Sequence, residues 1–256
     1  YFLSNGMLTL FVLPLIYFYE KIFSLVSDVS LLELSDTNSP LLKELSDKAP
    51  GTFHHSLQVA NLSEACANEI NANALLTRVG ALYHDIGKIK KPNFFSENQK
   101  GSISPHDELS PEESAEIIIA HVIDGISLGK KNKLPDRILD FIRTHHGTSK
   151  VYFFYKKQIE LNPSFDIKKF IYPGPKPFSK ETSIVMMADS IEAASKSLKE
   201  PSFEILEEFV HKIINQQMDE GQFINSNITF SEIEAVKKVL IRKLVNIYQL
   251  RIEYPD

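Results

Sequence analysis

The sequence contains a single cysteine, Cys66, among its 256 residues. One thiol excludes a disulfide framework and any metal site built from several thiolates, and it is typical of a reducing compartment. Any metal ion in this protein must therefore be held by histidine and carboxylate side chains. A chain of this length has room for one large domain or two small ones, with a sizeable buried core.

Positive charge is scarce as well, because 28 Lys and Arg face 33 Asp and Glu, which gives a formal net charge of −5. Proteins that coat DNA or RNA polymers neutralise phosphates with clustered basic side chains. The charge balance therefore argues against that class of protein. It is compatible with a small phosphate substrate, because bound metal ions add positive charge that no sequence count includes.

Long hydrophobic runs are also lacking, apart from a borderline stretch at residues 1–19 that carries no charge. A membrane-spanning helix needs about 20 predominantly apolar residues, and this stretch includes Asn5 and Pro14. The chain begins at Tyr1 rather than Met, as a piece of a longer protein would, and it lacks signal-peptide features. We expect residues 1–20 to be the end of a transmembrane helix that enters the cytoplasm at the cell membrane. The alternative is a buried core helix.

Alternating strand patterns are missing, whereas apolar residues recur at three- and four-residue spacing along most of the chain, which predicts an all-α protein. Residues 21–50 are expected to form a helical connector. Capping boxes that start at Ser110 and Thr229 mark the beginnings of two helices. The predicted helices span 51–70, 74–89, 111–127, 135–146, 179–198, 202–218 and 230–250, and the predicted irregular segments span 92–110 and 147–180.

Five of the eight histidines lie on predicted helices beside apolar faces, together with two aspartates. A single histidine there is usually a satisfied core residue, but a buried carboxylate must be paired or bound to a metal ion. Imidazole and carboxylate together suit divalent transition metals. Seven candidates exceed the needs of one ion and would suit two ions that share Asp85 and a bridging hydroxide. The candidates are His55, His84, Asp85, His121, His145, His146 and Asp189.

The order H, HD, H, HH, D resembles the HD-domain metallophosphohydrolase superfamily, whose fold is an all-α helical bundle. Several surrounding segments resemble more narrowly the cytoplasmic HD domain of the seven-transmembrane HD family, the PgpH-type cyclic di-AMP phosphodiesterases. They include HHSLQVANL, HDIGKIKKPNFFSENQ, IRTHHGTSKVYFFY and MADSIEAASKSL. The resemblance covers about residues 5–225 and implies an HD domain at residues 51–200. From the amphipathic pattern, we expect the C-terminal helices at 201–256 to pack on this domain.

The same resemblance implies a ligand set and a reaction. One ion would be held by His55, His84, Asp85 and Asp189, and the other by Asp85, His121, His145 and His146. The ions would be iron or manganese, and a bridging hydroxide would cut cyclic di-AMP to linear pApA. From the residues themselves, Asp85 and Lys88 are the predicted catalytic side chains, and either Lys88 or a metal-bound water could protonate the leaving group.

Two rival functions stay open at this point. The first is another HD-domain hydrolase, acting on cyclic di-GMP or a different nucleotide. The cyclic di-GMP class usually follows its histidine pair with Glu and a Gly-Tyr-Pro signature, whereas this chain reads GTSKVYFFY after His146. The second is a non-catalytic cyclic-dinucleotide sensor, although such domains usually lose ligands and this one keeps all seven.

Substrate contacts are weaker predictions. Lys88 lies one turn after His84 and could bind a phosphate, or it could be a solvated lysine at a helix end. Arg143 could bind phosphate in a bidentate manner or simply favour a helix C-terminus. Tyr155 and Tyr172 are candidates for stacking on adenine, although aromatic residues in such runs more often belong to the core. Two copies of the chain could pair through the terminal helices, but nothing in the sequence requires a homodimer.

Overall fold

The fold was obtained as a computed structural model that describes residues 1–23, 25–99, 101 and 104–248. Within these ranges the chain forms α-helices, short 3-10 helices and no strand, apart from an isolated bridge between Lys150 and Ile171. The all-α prediction is therefore confirmed. The helices are α1 Phe2–Thr9, α2 Val12–Phe23, α3 Asp28–Ser35, α4 Pro40–Lys48, α5 Pro50–Glu69, α6 Ala74–Tyr83, α7 Pro111–Lys131, α8 Asp136–Thr144, α9 Tyr152–Leu161, α10 Lys180–Ser195, α11 Phe203–Asp219 and α12 Phe230–Ile247.

Side-chain caps begin the helices where the sequence predicts them. Ser110 accepts a hydrogen bond from the backbone of Glu113, whose carboxylate accepts one from the backbone of Ser110 in return. Thr229 and Glu232 form the same capping box at the start of α12. Each cap satisfies backbone N–H groups that the helix leaves free, and it contributes about 1 kcal/mol. These local signals therefore fix where α7 and α12 begin.

The core lies around α5 and α10. Helix α5 packs against α4, α6, α10 and α12, and it contributes fully buried residues such as Val59 and Ala60. Helix α10 is buried almost all round between Thr182 and Glu192, which explains its continuous apolar sequence. Each large apolar side chain removed from water here contributes about 1.5–3 kcal/mol.

Two segments differ from the sequence-based expectation. Residues 147–180 are not irregular throughout, because α9 forms at Tyr152–Leu161 and buries Phe154 against α7 in a second apolar cluster. The predicted helix 74–89 is interrupted, since α6 ends at Tyr83 and a 3-10 helix runs over Ile86–Lys90. In both cases tertiary packing overrides a weak local pattern.

The N-terminal helices lie outside this core. Most side chains of α1 and α2 are exposed, including Phe2, Leu8 and Tyr17. No single helix among the described residues is long and apolar enough to cross a membrane, although Phe2–Thr9 and Pro14–Phe23 pass together as a pair bent by 43°. The transmembrane assignment of residues 1–20 therefore stays a prediction.

The C-terminal helices pack on the rest of the bundle. Helix α12 lies against α5 and α11, with Val236, Leu240 and Leu244 buried. Helix α11 contributes Leu206 and Ile214 to the same core. The end of the predicted helix 230–250 falls at residues 249–250, which lie outside the described part of the chain.

Candidate metal centre

Five helices deliver the seven predicted ligands to one point of the core. Helix α5 carries His55, α7 carries His121 and α10 carries Asp189, while two adjacent pairs follow the last residues of α6 and α8. Neighbouring residues inside a helix diverge by about 100°. Because α6 ends at Tyr83 and α8 ends at Thr144, both members of each pair can face the centre. The pairs are His84 with Asp85 and His145 with His146.

The carboxylate of Asp85 lies between two groups of histidines. Its Oδ2 atom is 3.3 Å from Nε2 of His84 and 3.6 Å from Nε2 of His55. Its Oδ1 atom is 3.3 Å from Nε2 of His121 and 3.6 Å from Nε2 of His145. The two oxygens of one buried side chain therefore face two separate sets of nitrogen donors.

Asp189 closes the centre from the α10 side. Its Oδ1 atom is 2.9 Å from Nε2 of His55 and 3.6 Å from Nε2 of His84. Its Oδ2 atom lies 3.9 Å from Nδ1 of His146. Each of the five predicted histidine ligands therefore lies within 4 Å of Asp85, Asp189 or both.

The ring orientation of three histidines is set by the main chain. In each, Nδ1 lies within hydrogen-bond distance of the carbonyl oxygen three residues earlier, and since a carbonyl can only accept, Nδ1 carries the proton. When the ring is neutral, Nε2 is then left with its lone pair toward the centre, as a metal ligand requires. The Nδ1 to oxygen distances are 2.7 Å for His84 and Ala81, 2.5 Å for His121 and Ile118, and 2.9 Å for His145 and Ile142.

The donor set fits divalent metal ions. Nε2 of His84 and Oδ1 of Asp85 are buried and have no hydrogen-bond partner among the described atoms, which is an unusual condition for buried polar groups. Imidazole and carboxylate donors without thiolates suit divalent transition metals. Three groups have donor atoms within 4.8 Å of one another: His55, His84 and Asp85; His84, His145 and Asp189; and His121, His145 and His146.

The pKa values of the buried side chains also favour cations at this site. Burial alone would raise the pKa of Asp85, but Lys88 and His84 outweigh it and hold that pKa well below its usual range. Burial likewise opposes charge on Asp189, but the neighbouring His55 and His84 outweigh it and hold the pKa of Asp189 well below its usual range. Burial opposes charge on His84, yet the two carboxylates raise its pKa to about 10. Two ionised carboxylates buried together require cations beside them.

Lys88 is held inside the site. Its ammonium lies 2.7 Å from Oδ2 of Asp85 and 2.8 Å from Oε1 of Glu97, and 4.9 Å from the centre of the Phe95 ring. Only 12% of its side chain is exposed, so the alternative of a solvated lysine at a helix end is wrong. Glu97 was not identified from the sequence, because no local spacing connects it with Lys88.

An open cavity of about 700 Å³ adjoins the centre. Tyr172 lies on its wall and stacks on the ring of His146, with centroids 4.1 Å apart. Other residues on the wall include His55, Lys88, Glu97, Ser149, Lys150, Tyr152, Asp189, Ser190, Lys196 and Gln217.

Two predicted substrate contacts are not on this wall, as far as the described residues define it. Arg143 pairs with Asp140 at 3.4 Å on α8. Tyr155 packs against Phe165 and Phe170 in the second apolar cluster. The structure places Tyr152 at the cavity instead, three residues earlier on α9.

Comparison with known proteins agrees with this geometry. The profile of the HD domain family matches residues 52–194. The chain is 45% identical over 245 residues to the cyclic-di-AMP phosphodiesterase PgpH of Bacillus subtilis and 46% identical over 245 residues to PgpH of Listeria monocytogenes, and in each case the match covers 96% of this chain. It spans about a third of the length of these relatives, or 34% of each.

A solved structure gives the same result. The PgpH HD domain of L. monocytogenes, crystallised in complex with cyclic-di-AMP, superposes with a TM-score of 0.81 at 46% identity. The superposition covers 83% of this chain and 100% of that domain. The His and Asp centre, the helical bundle and these matches lead to one conclusion: this chain belongs to the HD domain family.

Proposed function

We propose that this chain is the HD domain of a metal-dependent phosphodiesterase that hydrolyses cyclic di-AMP to linear pApA. The observation that carries the proposal is the position of Asp85, whose two oxygens face two sets of histidine donors beside a cavity of about 700 Å³. The names of the PgpH relatives and the cyclic-di-AMP complex of the matched HD domain support this choice of substrate.

The proposed centre holds two ions, of iron or manganese. His55, His84, Asp85 and Asp189 would hold one ion, and Asp85, His121, His145 and His146 would hold the other. The donor groups around Asp85 support this division, although His84, His145 and Asp189 also lie close enough together to form a group across it. When bound, two such ions would supply a hydroxide nucleophile at neutral pH and would neutralise the charge of a phosphodiester.

Lys88 supplies a fixed positive charge in this proposal. Burial opposes that charge, but Asp85 and Glu97 outweigh it and raise the pKa of Lys88. A lysine with a raised pKa gives up its proton poorly. We therefore assign to Lys88 the binding of a phosphate oxygen as a point charge, and no proton transfer to the leaving group.

We also propose that residues 1–20 are the end of a membrane-spanning helix, with the HD domain on the cytoplasmic side of the cell membrane. The exposed apolar side chains of α1 and α2 support this arrangement. Pairing of two copies through the terminal helices stays a prediction.

The test is turnover of cyclic di-AMP, cyclic di-GMP and pApA by the purified chain loaded with Mn²⁺ or Fe²⁺. We expect release of pApA from cyclic di-AMP at a rate well above that for cyclic di-GMP. Asp85→Asn keeps the shape of the side chain but removes its charge, and it should abolish turnover, whereas Asp47→Asn on the exposed face of α4 should not change it. Equal rates on the two dinucleotides would contradict the substrate assignment. Tight binding without hydrolysis would favour the sensor function.

A further inference from the structure

Glu192 contacts the metal centre from behind one of its histidines. It lies one turn after Asp189 on α10, and its Oε2 atom is hydrogen-bonded to Nδ1 of His55. Nε2 of the same ring faces Asp189 at 2.9 Å and Asp85 at 3.6 Å. Only 8% of Glu192 is exposed. The carboxylate therefore contacts His55 on the side of the ring away from the centre. From there it can set the orientation and the tautomer of the ring.

The hydrogen-bond partner of His55 differs in kind from the partners of the other histidine rings in the centre. His84, His121 and His145 are held at Nδ1 by main-chain carbonyl oxygens of their own helices. In His55 the corresponding partner is a charged side chain 137 residues away in the sequence. A carboxylate accepts a stronger, charge-assisted hydrogen bond than a carbonyl, and it makes the imidazole a more basic donor at its other nitrogen.

The carboxylate of Glu192 is itself held in place. Nζ of Lys196, the residue that follows the end of α10, lies 2.9 Å from the same Oε2 atom. Asp189 on α10 thus faces the centre, while Glu192 and Lys196 lie behind His55. Glu192 was not identified from the sequence, although it follows Asp189 at i+3 spacing.

We propose that Glu192 is a positioning residue of the metal centre, which accepts the Nδ1–H of His55, fixes its tautomer and directs Nε2 toward Asp85 and Asp189. The proposal rests on the proposed function, because it assumes that His55 binds a metal ion. It adds a side chain outside the seven ligands on which metal affinity depends.

The test compares Glu192→Ala and Glu192→Gln in the full 256-residue chain, with Mn²⁺ affinity measured by competition with a chelator. Removal of a carboxylate that supports a metal-bound histidine typically weakens metal binding by about 10- to 100-fold, and we expect this for Glu192→Ala. Glu192→Gln keeps an oxygen that can accept the Nδ1–H, so we expect it to recover part of the loss. Glu207→Ala, on the exposed face of α11, is the matched control and should bind Mn²⁺ as the unmodified chain does.

A second readout follows the hydrogen bond directly. In the chain loaded with diamagnetic Zn²⁺, the Nδ1–H proton of His55 should give a downfield NMR signal that is protected from solvent exchange. Glu192→Ala should lose this signal, while the Nδ1–H signals of His84, His121 and His145 should stay. A purely structural role of Glu192 would lower the melting temperature without removing one signal selectively.

The outcomes separate the two proposals. If the unmodified chain binds neither Mn²⁺ nor Zn²⁺, the proposed function is wrong. If it binds them and Glu192→Ala binds Mn²⁺ with unchanged affinity, the positioning role is wrong and the metal centre stands. If Glu192→Ala fails to fold, Glu192→Gln becomes the deciding variant. A Glu192→Gln chain that lost the His55 signal but bound Mn²⁺ with unchanged affinity would also contradict the proposal.

Discussion

Replacing Gly87 by alanine would push two parts of the metal centre apart. Gly87 lies in the 3-10 helix two residues after Asp85, directly against α7. A Cβ atom at this position would lie 1.8 Å from the carbonyl oxygen of His121 and 2.6 Å from the backbone nitrogen of Gly125. Both neighbours are backbone atoms, which cannot rotate away as a side chain could. The 3-10 helix and α7 must therefore separate by more than an ångström.

The cost can be estimated from overpacking. Extra methylenes in a packed core cost about 1–3 kcal/mol, and occasionally more. Because the overlap at Gly87 is with backbone, we expect about 3 kcal/mol or more. In a chain of this size 1 kcal/mol corresponds to roughly 2–4 °C in melting temperature, so Gly87→Ala should melt roughly 6–12 °C lower. The separation should also widen the 3.3 Å gap between Asp85 and His121 and weaken metal binding.

The assay is thermal unfolding followed by circular dichroism, together with Mn²⁺ affinity. Gly101→Ala is the control, since a Cβ atom there meets no atom of the described residues within 4 Å, and its melting temperature should be nearly unchanged. A melting temperature of Gly87→Ala within 2 °C of the unmodified chain, roughly the effect of less than 1 kcal/mol, would refute the steric argument. Unchanged Mn²⁺ affinity in a clearly destabilised Gly87→Ala would refute its connection to the metal centre.

The further predictions concern three residues of the scaffold, Cys66, Tyr83 and Ser110. Cys66 is fully buried, and burial raises the pKa of its thiol to about 12, so a thiol reagent at pH 8 should label it only after unfolding in urea; rapid labelling of the folded chain would contradict this. The unfolded thiol loses its proton near pH 8.5 and the folded one near 12, so the free energy of unfolding should fall as the pH rises above about 9. Urea titrations at pH 8 and 10 would measure this fall. Cys66→Ala is the control and should lose this part of the pH dependence. Tyr83→Phe removes the hydroxyl that bonds to Leu34 and Ser39 and should cost about 1–2 kcal/mol by urea unfolding, whereas an unchanged midpoint would show that these bonds do not contribute. Ser110→Ala removes the N-cap of α7 and should cost about 1 kcal/mol in the same assay. Ser127→Ala, at an exposed position inside the same helix, is the control and should be nearly neutral.

The sequence alone determined the chemistry of the centre. The choice of histidine and aspartate over cysteine, and the apolar faces that carry them, limited the ligands to the seven side chains that the structure brings together. The all-α class and the helix starts at Ser110 and Thr229 were also predictable. These features are local, because periodicity and capping depend on residues within four positions of each other.

The tertiary structure alone decided how those ligands are arranged and supported. That α6 stops at Tyr83, so that His84 and Asp85 can both face the centre, follows from the packing of the 3-10 helix on α7. The partners Glu97 and Glu192, and helix α9, were missed for the same reason. A contact between residues 137 positions apart, such as His55 with Glu192, is set by which helix faces meet in the core, and no local pattern in the sequence records that choice.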